Sequence, residues 1–223
     1  MIKIEKTEVM NMEAAIRGAR NPMNSWDRSD SYTDSEGTFI VGGSDRELGH
    51  RLAVSGPDHR KFLRQIFVSV DITAPLYWWK EFDTYKVGTV ANSTSTMHKI
   101  HSKPFDRDDF SHDRMSDEAL ACLDSVISFL EARRQEYVET REKAFWEDII
   151  QTLPTSYNQK RTLSMNYENL VNMYYARYNH KLSEWHEFCA WIETLPMARE
   201  WILIKERIYP HVWADAPAKE EDK

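Results

Sequence analysis

Cysteine and glycine are both scarce in this chain of 223 residues. The two cysteines, Cys122 and Cys189, are too few for a disulfide framework and show no Cys-x-x-Cys metal spacing. There are only seven glycines, and the sequence has no glycine-rich phosphate loop, nucleophile elbow or His-Glu-x-x-His helix. These absences argue against a disulfide-rich secreted protein and against a glycine-rich dinucleotide-binding fold.

Long apolar runs and a surplus of positive charge are absent as well. The N-terminal segment MIKIEKTEV lacks the apolar run of a signal peptide, and no stretch reaches transmembrane length. The 29 Lys and Arg residues are outnumbered by 36 Asp and Glu residues, for a net charge of -7. We therefore expect a cytoplasmic protein with neither a membrane nor a nucleic acid as partner.

Apolar and aromatic residues are present in the amounts that a folded core needs. Hydrophobic residues make up 41% of the chain and aromatic residues 12%. We interpret most of the eight Trp and ten Tyr residues as core or interface side chains. No linker or repeat interrupts the chain, so we predict one α+β domain over residues 1–213 and a disordered polar tail over 214–223.

The hydrophobic pattern predicts strands at 2–9 and 66–73, the second with strict alternation. It predicts helices at 12–20, 47–54, 76–85, 166–177, 183–194 and 196–207, and a long helix from Ser116 that continues toward Ile150 and is stopped by Pro154. Residues 22–43, rich in Ser, Asp, Gly and Asn, are expected to form a long functional loop.

Two blocks of the sequence carry specific patterns. The first has Ala74-Pro75, then an aromatic helix, then a loop of small hydroxyl and amide residues over 87–97 that leaves backbone N–H groups open to a phosphate or carbonyl. The second reads LPTSYNQKRTLSMNYENLVNMYYARYNHKLSEW from Leu153. Its helix begins at Asn166 and places Asn166, Asn169, Met173 and Arg177 on one stripe, so amide and guanidinium groups can face one ligand.

In these blocks, and in element order over roughly residues 1–195, the chain resembles the flavin-dependent thymidylate synthases. The resemblance implies the thymidylate synthase-complementing protein-like fold, a small antiparallel sheet flanked by long helices. It implies reductive methylation of dUMP to dTMP, with FAD as cofactor and methylenetetrahydrofolate and NADPH as co-substrates. It also implies a homotetramer with its sites at subunit junctions.

The resemblance further implies which residues form the site. Arg177 takes the catalytic role of polarising the pyrimidine ring, a task that suits an always-charged planar donor. The implied nucleotide-binding residues are Glu81, Asn92, Ser95 and Arg177. The implied flavin-binding residues are Tyr85, Lys86, Asn166, Asn172 and His180, and no metal is implied.

Several positions depart from the family pattern. Its Arg-His-Arg segment falls on Thr84, Tyr85 and Lys86, its helix arginine two positions after the asparagine falls on Glu168, and its nucleotide-phosphate arginine falls on Ile150. Each change removes a hydrogen-bond donor for a phosphate or carbonyl. Two alternatives therefore stay open: a protein of this fold that binds a pyrimidine nucleotide or flavin without synthase activity, and a related flavin-dependent enzyme that modifies pyrimidines.

Two further groups of residues are candidates for function. His and Asp residues over 101–113 could hold a divalent metal, but a solvated loop is the preferred interpretation because no fixed ligand spacing is evident. Trp78 and Trp79 could stack on a ring ligand, although packing is the more common role of aromatic residues in such a helix.

Overall fold

A computed structural model of the protein describes residues 2–204. The strands are β1 (Lys3–Met10), β2 (Tyr32–Thr33), β3 (Phe39–Ile40), β4 (Phe67–Pro75), β5 (Val90–Ser93) and β6 (Asn158–Asn166). The helices are α1 (Met12–Arg20), α2 (Gly43–Val54), α3 (Leu76–Phe82), α4 (Asp117–Thr140), α5 (Lys143–Thr152), α6 (Tyr167–Arg177), α7 (Ser183–Glu193) and α8 (Ala198–Trp201). The predicted α+β class with a small antiparallel sheet is confirmed.

Four strands form the larger sheet, in the order β1-β4-β6-β5. The alternation predicted for β4 is confirmed, because Val68, Val70 and Ile72 are buried while Phe67 on the other face is 46% exposed. A two-stranded hairpin pairs β2 with β3, and Tyr32 lies opposite Ile40.

Strand β6 was not predicted from the sequence. Its buried face carries Gln159, Leu163 and Met165, but its other face is polar enough to hide the strand pattern. On that face Asp71 of β4 forms an ion pair with Lys160 at 2.8 Å. Asp71 also accepts a hydrogen bond from the Thr162 hydroxyl at 2.6 Å. Polar cross-strand pairs thus replace the β-branched residues that usually mark a strand.

Backbone contacts divide the chain into two compact units. The first contains the residues up to Glu5, Asp71–Thr84 and Ala91–Thr162, and the second contains Lys6–Val70, Tyr85–Val90 and the residues from Leu163 onward. The single domain expected over 1–213 stays a prediction, and the expected polar tail lies outside the described residues. The described part of the predicted helix 196–207 contains α8, which ends at Trp201.

The first unit has a core built on the helix pair α4 and α5. Its buried residues are Ile100, Phe105, Phe110, Leu123, Leu130 and Ile149. One continuous helix was expected here, and that prediction is wrong. Arg141 adopts a left-handed conformation with φ of 62° and donates its backbone N–H to the carbonyl of Tyr137, which ends α4 before α5 begins at Lys143.

The second unit contains α1, α2, α6, α7, α8 and a 3-10 turn at Arg60–Gln65. Helix α6 packs against this turn and against α7, while α2 packs against α8. In the last contact Gly49 of α2 lies beneath the indole of Trp201, and the indole N–H donates to the carbonyl of Arg46 at 3.2 Å. Within residues 2–204 we find no helix that combines the length and apolar character needed to cross a bilayer.

Replacing Gly49 with alanine should destabilise the second unit. A Cβ atom at this position would overlap the buried indole of Trp201, so we expect the free energy of unfolding to fall by about 1–3 kcal/mol. Gly43→Ala in the same helix is the matched control, since its nearest neighbour would be the Asp30 carboxylate at 3.8 Å. The control should change stability by less than about 0.5 kcal/mol. Urea unfolding of both variants tests this, and equal effects would contradict the packing described.

Candidate functional site

Two asparagines fix the start of α6. The Oδ1 atom of Asn166 accepts the backbone N–H of Asn169 at 3.0 Å, and the Oδ1 atom of Asn169 accepts the backbone N–H of Asn166 at 3.1 Å. This reciprocal capping satisfies two N–H groups that would otherwise be unpaired at the helix start. The predicted start of this helix at Asn166 is confirmed, and the predicted flavin ligand Asn166 contributes its Oδ1 atom to the cap.

The segment Tyr85–Val90 lies against this capped end of α6. The amide nitrogen of Asn169 donates to the carbonyl of Val87 at 2.7 Å. Gly88 adopts a φ of 78°, and a Cβ atom there would lie only 3.1 Å from the amide nitrogen of Asn166. A glycine is therefore favoured both by the backbone conformation and by the close approach.

Arg177, at the other end of α6, is surrounded by aromatic rings. Its Nε atom donates to the Tyr85 hydroxyl at 2.8 Å. Its guanidinium carbon lies 4.8 Å from the ring centroid of Trp185 and 5.4 Å from that of Tyr85. His180 lies at the same place, with its ring centroid 6.3 Å from that of Trp185. We call Tyr85, Arg177, His180 and Trp185 the Arg177 cluster.

The Arg177 cluster brings together three of the residues predicted for the site, namely Tyr85, Arg177 and His180. Trp185 was not predicted to take part, although it is fully buried and supports the guanidinium. Trp185 lies on α7 and Arg177 ends α6, so no helical spacing in the sequence links the two residues. Lys86 follows Tyr85 directly and is exposed.

A cavity of about 590 Å³ lies next to the cluster. It is lined by Tyr178, Asn179, His180, His186, Cys189, Ala190 and Glu193. Burial raises the pKa of the Cys189 thiol to about 12, so this cysteine is protonated at neutral pH and is not a nucleophile. The imidazole of His186 contacts the carbonyl of His180 at 2.7 Å, and the Nδ1 atom of His180 accepts the backbone N–H of Leu182 at 3.1 Å.

The opposite face of α6 carries a buried ion pair. Glu168 is 8% exposed and lies 2.9 Å from the Nε and Nη2 atoms of Arg60, which is 2% exposed. The Nη2 atom of Arg60 also lies 3.5 Å from the Oδ1 atom of Asn172. Asn172, predicted as a flavin ligand, therefore lies with Glu168 and not with the stripe of Asn166 and Arg177.

This ion pair determines the electrostatic effect of Glu168 on its surroundings. The resemblance places an arginine at that position, and the sequence alone indicates the loss of a hydrogen-bond donor for a phosphate or carbonyl. Arg60 neutralises the carboxylate, so α6 carries no uncompensated charge there. The pair could not be predicted, because the two residues lie 108 positions apart in the sequence.

The remaining predicted residues lie in the first unit. Asn92 is exposed on β5, and the Ser95 hydroxyl accepts the backbone N–H of His98 at 2.9 Å. Glu81 is half-buried on α3, and its carbonyl accepts a hydrogen bond from the Thr84 hydroxyl at 2.8 Å. The structure thus assigns Glu81, Asn92 and Ser95 to one unit and Arg177 to the other.

A hydrogen-bond network around Trp79 in the first unit was not predicted. The guanidinium of Arg161 stacks 4.3 Å from the ring centroid of Trp79 and donates to Asp83 at 2.6 Å and to Gln159 at 3.0 Å. Gln159 in turn donates to the carbonyl of Thr94 at 2.7 Å. Trp79 and its neighbour Trp78 are fully buried with ring centroids 4.8 Å apart, so packing is their role.

The acidic segment 101–113 is held by its own ion pairs. Asp106 and Asp109 form a capping box, Lys103 pairs with Asp109, and Arg107 donates to Asp124 at 3.0 Å. Among residues 2–204 no group of three or more His, Cys, Asp or Glu side chains is arranged to hold a metal ion.

Comparison with known proteins identifies the fold but no family by sequence. No known family model matches the chain, and no curated protein matches it. A crystal structure of thymidylate synthase X (ThyX) from Helicobacter pylori with FAD and dUMP matches with a TM-score of 0.67 and 17% identity, over 91% of this chain and 97% of that chain. A second structure is that of the flavin-dependent thymidylate synthase ThyX from Helicobacter pylori, complexed with FAD and dUMP. It matches with a TM-score of 0.65 and 18% identity, over 90% of this chain and 97% of that chain.

A third similar structure is a UMP/dUMP methylase, PolB from Streptomyces cacaoi, bound with 5-Br dUMP. It matches with a TM-score of 0.58 and 14% identity, over 91% of this chain and 94% of that chain. At these identities the likeness shows the fold alone, and the fold is that of the ThyX structures.

Breaking the Arg60–Glu168 pair should be costly. Glu168→Gln leaves a buried guanidinium without its counter-charge, so we expect the free energy of unfolding to fall by about 3–5 kcal/mol. The control is Asp124→Asn, which removes the carboxylate of the exposed pair with Arg107 and should cost less than about 1 kcal/mol. Chemical denaturation of both variants measures the difference. Similar losses in the two variants would show that the buried pair is not a structural element of α6.

Proposed function

We propose that this protein is a flavin-dependent enzyme that modifies a uracil deoxynucleotide, and that its reaction is the reductive methylation of dUMP to dTMP. The Arg177 cluster carries the proposal, because it fixes a guanidinium between Tyr85 and Trp185 in the fold of ThyX structures that hold FAD and dUMP. In this proposal methylenetetrahydrofolate is the carbon donor and NADPH is the reductant.

Arg177 is proposed to bind a carbonyl oxygen of the pyrimidine. Its planar guanidinium stays charged at any physiological pH. The group is half-buried against the Trp185 ring, where fewer water molecules compete and a hydrogen bond to a ligand is stronger. Negative charge that develops on the pyrimidine during the reaction is therefore stabilised by Arg177. Tyr85 supports this role by holding the Nε atom, which restricts the rotation of the guanidinium.

The proposed flavin-binding residues lie in or beside α6 and in the segment that carries Tyr85, and they suit an anionic cofactor such as FAD. When bound, FAD supplies the hydride-transfer chemistry that these side chains lack. Lys86 offers a positive charge, His180 and the amides offer hydrogen bonds, and Arg60 cancels the charge of Glu168 that would repel a pyrophosphate. The proposed flavin-binding residues are Tyr85, Lys86, Asn166, Asn172 and His180.

The rest of the proposal concerns the nucleotide and the assembly. Glu81, Asn92 and Ser95 of the first unit are proposed as nucleotide-binding residues, and so is Arg177 of the second unit. We also propose a homotetramer that works in the cytoplasm. Large apolar side chains at the surface support an assembly, since Phe67 is 46% exposed and Phe129 and Val138 are each 41% exposed.

A second candidate is a protein that binds the nucleotide or flavin without synthase activity. One observation favours it. Ile150, where the resemblance places a phosphate-binding arginine, packs against the apolar core of the first unit and offers no hydrogen-bond donor. Under both candidate functions, we therefore expect position 150 to contribute no affinity for a phosphate.

The test begins with the purified protein as it stands. The synthase proposal predicts a yellow protein with near-stoichiometric flavin absorbance that converts dUMP to dTMP when methylenetetrahydrofolate and NADPH are supplied. Arg177→Ala should keep its flavin and lose about 100-fold or more in kcat/KM for dUMP, because a charge-stabilising donor is removed. Arg51→Ala, an exposed arginine on α2, is the control and should retain full activity.

The outcomes separate the candidates. A colourless protein whose melting temperature still rises with dUMP would support the binding protein without synthase activity. Conversion of dUMP at an unchanged rate by Arg177→Ala would refute the role given to Arg177. A protein that responds to neither flavin nor dUMP would refute both candidates.

A further inference from the structure

The loop over residues 22–43 has no role in the function proposed above, yet it forms the wall of a cavity. The cavity measures about 280 Å³. Its walls contain three aromatic side chains, Trp26, Tyr32 and Phe39, and its remaining lining residues are Glu13, Ile16, Arg17, Arg20, Ser29, Ser31 and Thr33. All of these residues belong to the second unit.

Asp45, which is 1% exposed, anchors this loop to α2. Its Oδ1 atom accepts the Nε–H of Arg20 at 2.6 Å. Its Oδ2 atom accepts hydrogen bonds from the hydroxyls of Ser29 at 2.7 Å and Ser31 at 2.6 Å. Burial alone would raise the pKa of Asp45, but the hydrogen bonds from Ser31, Ser29 and Arg20 outweigh it and lower the pKa below its ordinary value. Asp45 is therefore ionised at neutral pH and holds the loop by charge-assisted hydrogen bonds.

A second carboxylate, that of Asp30 in the loop, also links the loop to α2. Asp30 accepts the backbone N–H groups of Ser44 at 2.8 Å and Asp45 at 3.1 Å, at the first turn of α2. Gly42 passes so close to Asp30 that a Cβ atom there would overlap its carboxylate and carbonyl. These hydrogen bonds hold the loop in place against α2, although the loop contains little regular secondary structure.

Two aromatic rings of this loop are exposed to solvent. Trp26 is 50% exposed and Tyr32 is 59% exposed. The indole N–H of Trp26 donates to the side chain of Asn21 at 2.8 Å, which fixes the orientation of the ring. Aromatic rings that line a cavity and stay partly exposed offer flat surfaces on which a ring ligand can stack.

Charged side chains of α1 also line the cavity. Glu13 and Arg17 lie one turn apart on α1 and, with Phe39, also line a second cavity of about 600 Å³. Within residues 2–204 the Arg17 side chain makes no ion pair or hydrogen bond. Glu13 lines the same cavity but forms no ion pair with Arg17, so the guanidinium keeps its N–H donors for an anionic group of a ligand.

We propose that this cavity binds a planar aromatic ring compound that carries an anionic group, either a phosphate or a carboxylate. The ring stacks on Trp26 and Tyr32, and the anionic group pairs with Arg17. The larger second cavity accepts the part of the ligand that extends beyond the ring. This site does not depend on the flavin-dependent reaction.

Isothermal titration calorimetry with two probes tests the proposal. AMP supplies a ring with a phosphate, and 2-naphthoate supplies a ring with a carboxylate. At least one should bind the full-length protein with a 1:1 stoichiometry. Trp26→Ala should weaken that binding about tenfold, as expected for loss of one stacking partner, whereas Trp26→Phe should retain most of the affinity. Arg17→Gln should weaken AMP but leave the binding of uncharged adenosine unchanged.

Arg177→Ala distinguishes this site from the one proposed for the flavin-dependent reaction. It should bind the probes as the unmodified protein does, whatever its effect on dUMP. Failure of both probes to bind at 1 mM would overturn the inference. So would binding that is equal in the Trp26→Ala and unmodified proteins, or binding that is lost in Arg177→Ala.

Discussion

The reciprocal hydrogen bonds between Asn166 and Asn169 determine how the rest of the second unit is arranged around α6. They fix the residue at which the helix begins, and so fix which side chains point to each of its faces. One face then presents Arg177 to Tyr85, and the other presents Glu168 to Arg60. Asn169 also holds the segment that carries Tyr85, because its amide nitrogen donates to the carbonyl of Val87.

The charge at a position that departs from the family pattern depends on the residues that contact it in the folded protein. Glu168 taken alone suggests a lost cation, but a guanidinium from a distant 3-10 turn neutralises it. Ile150 has no such compensation, because it belongs to an apolar core. A single residue that departs from a pattern therefore says little until its neighbours in space are known. What matters for an anionic ligand is the sum of charges around it.

Local signals in the sequence were sufficient for several elements. The alternation over β4, the serine cap of α4 and the asparagine start of α6 each depend on residues only a few positions apart. The sequence also indicated Arg177, Tyr85 and His180, which the structure brings together. The partners of these elements depend on contacts between distant residues, so the sequence did not predict β6, the Arg60–Glu168 pair or the supporting ring of Trp185. The break at Arg141 is a backbone feature that the surrounding helical pattern conceals.

Lys86 occupies an unusual position between two anchored neighbours. Tyr85 is tied to Arg177 through its hydroxyl, and Val87 is tied to Asn169 through its carbonyl. Both neighbours of Lys86 are therefore held by hydrogen bonds, while Lys86 itself is exposed. Acetylation or charge-reversing chemistry at this amine would therefore alter the local electrostatic potential without disturbing the backbone that presents it.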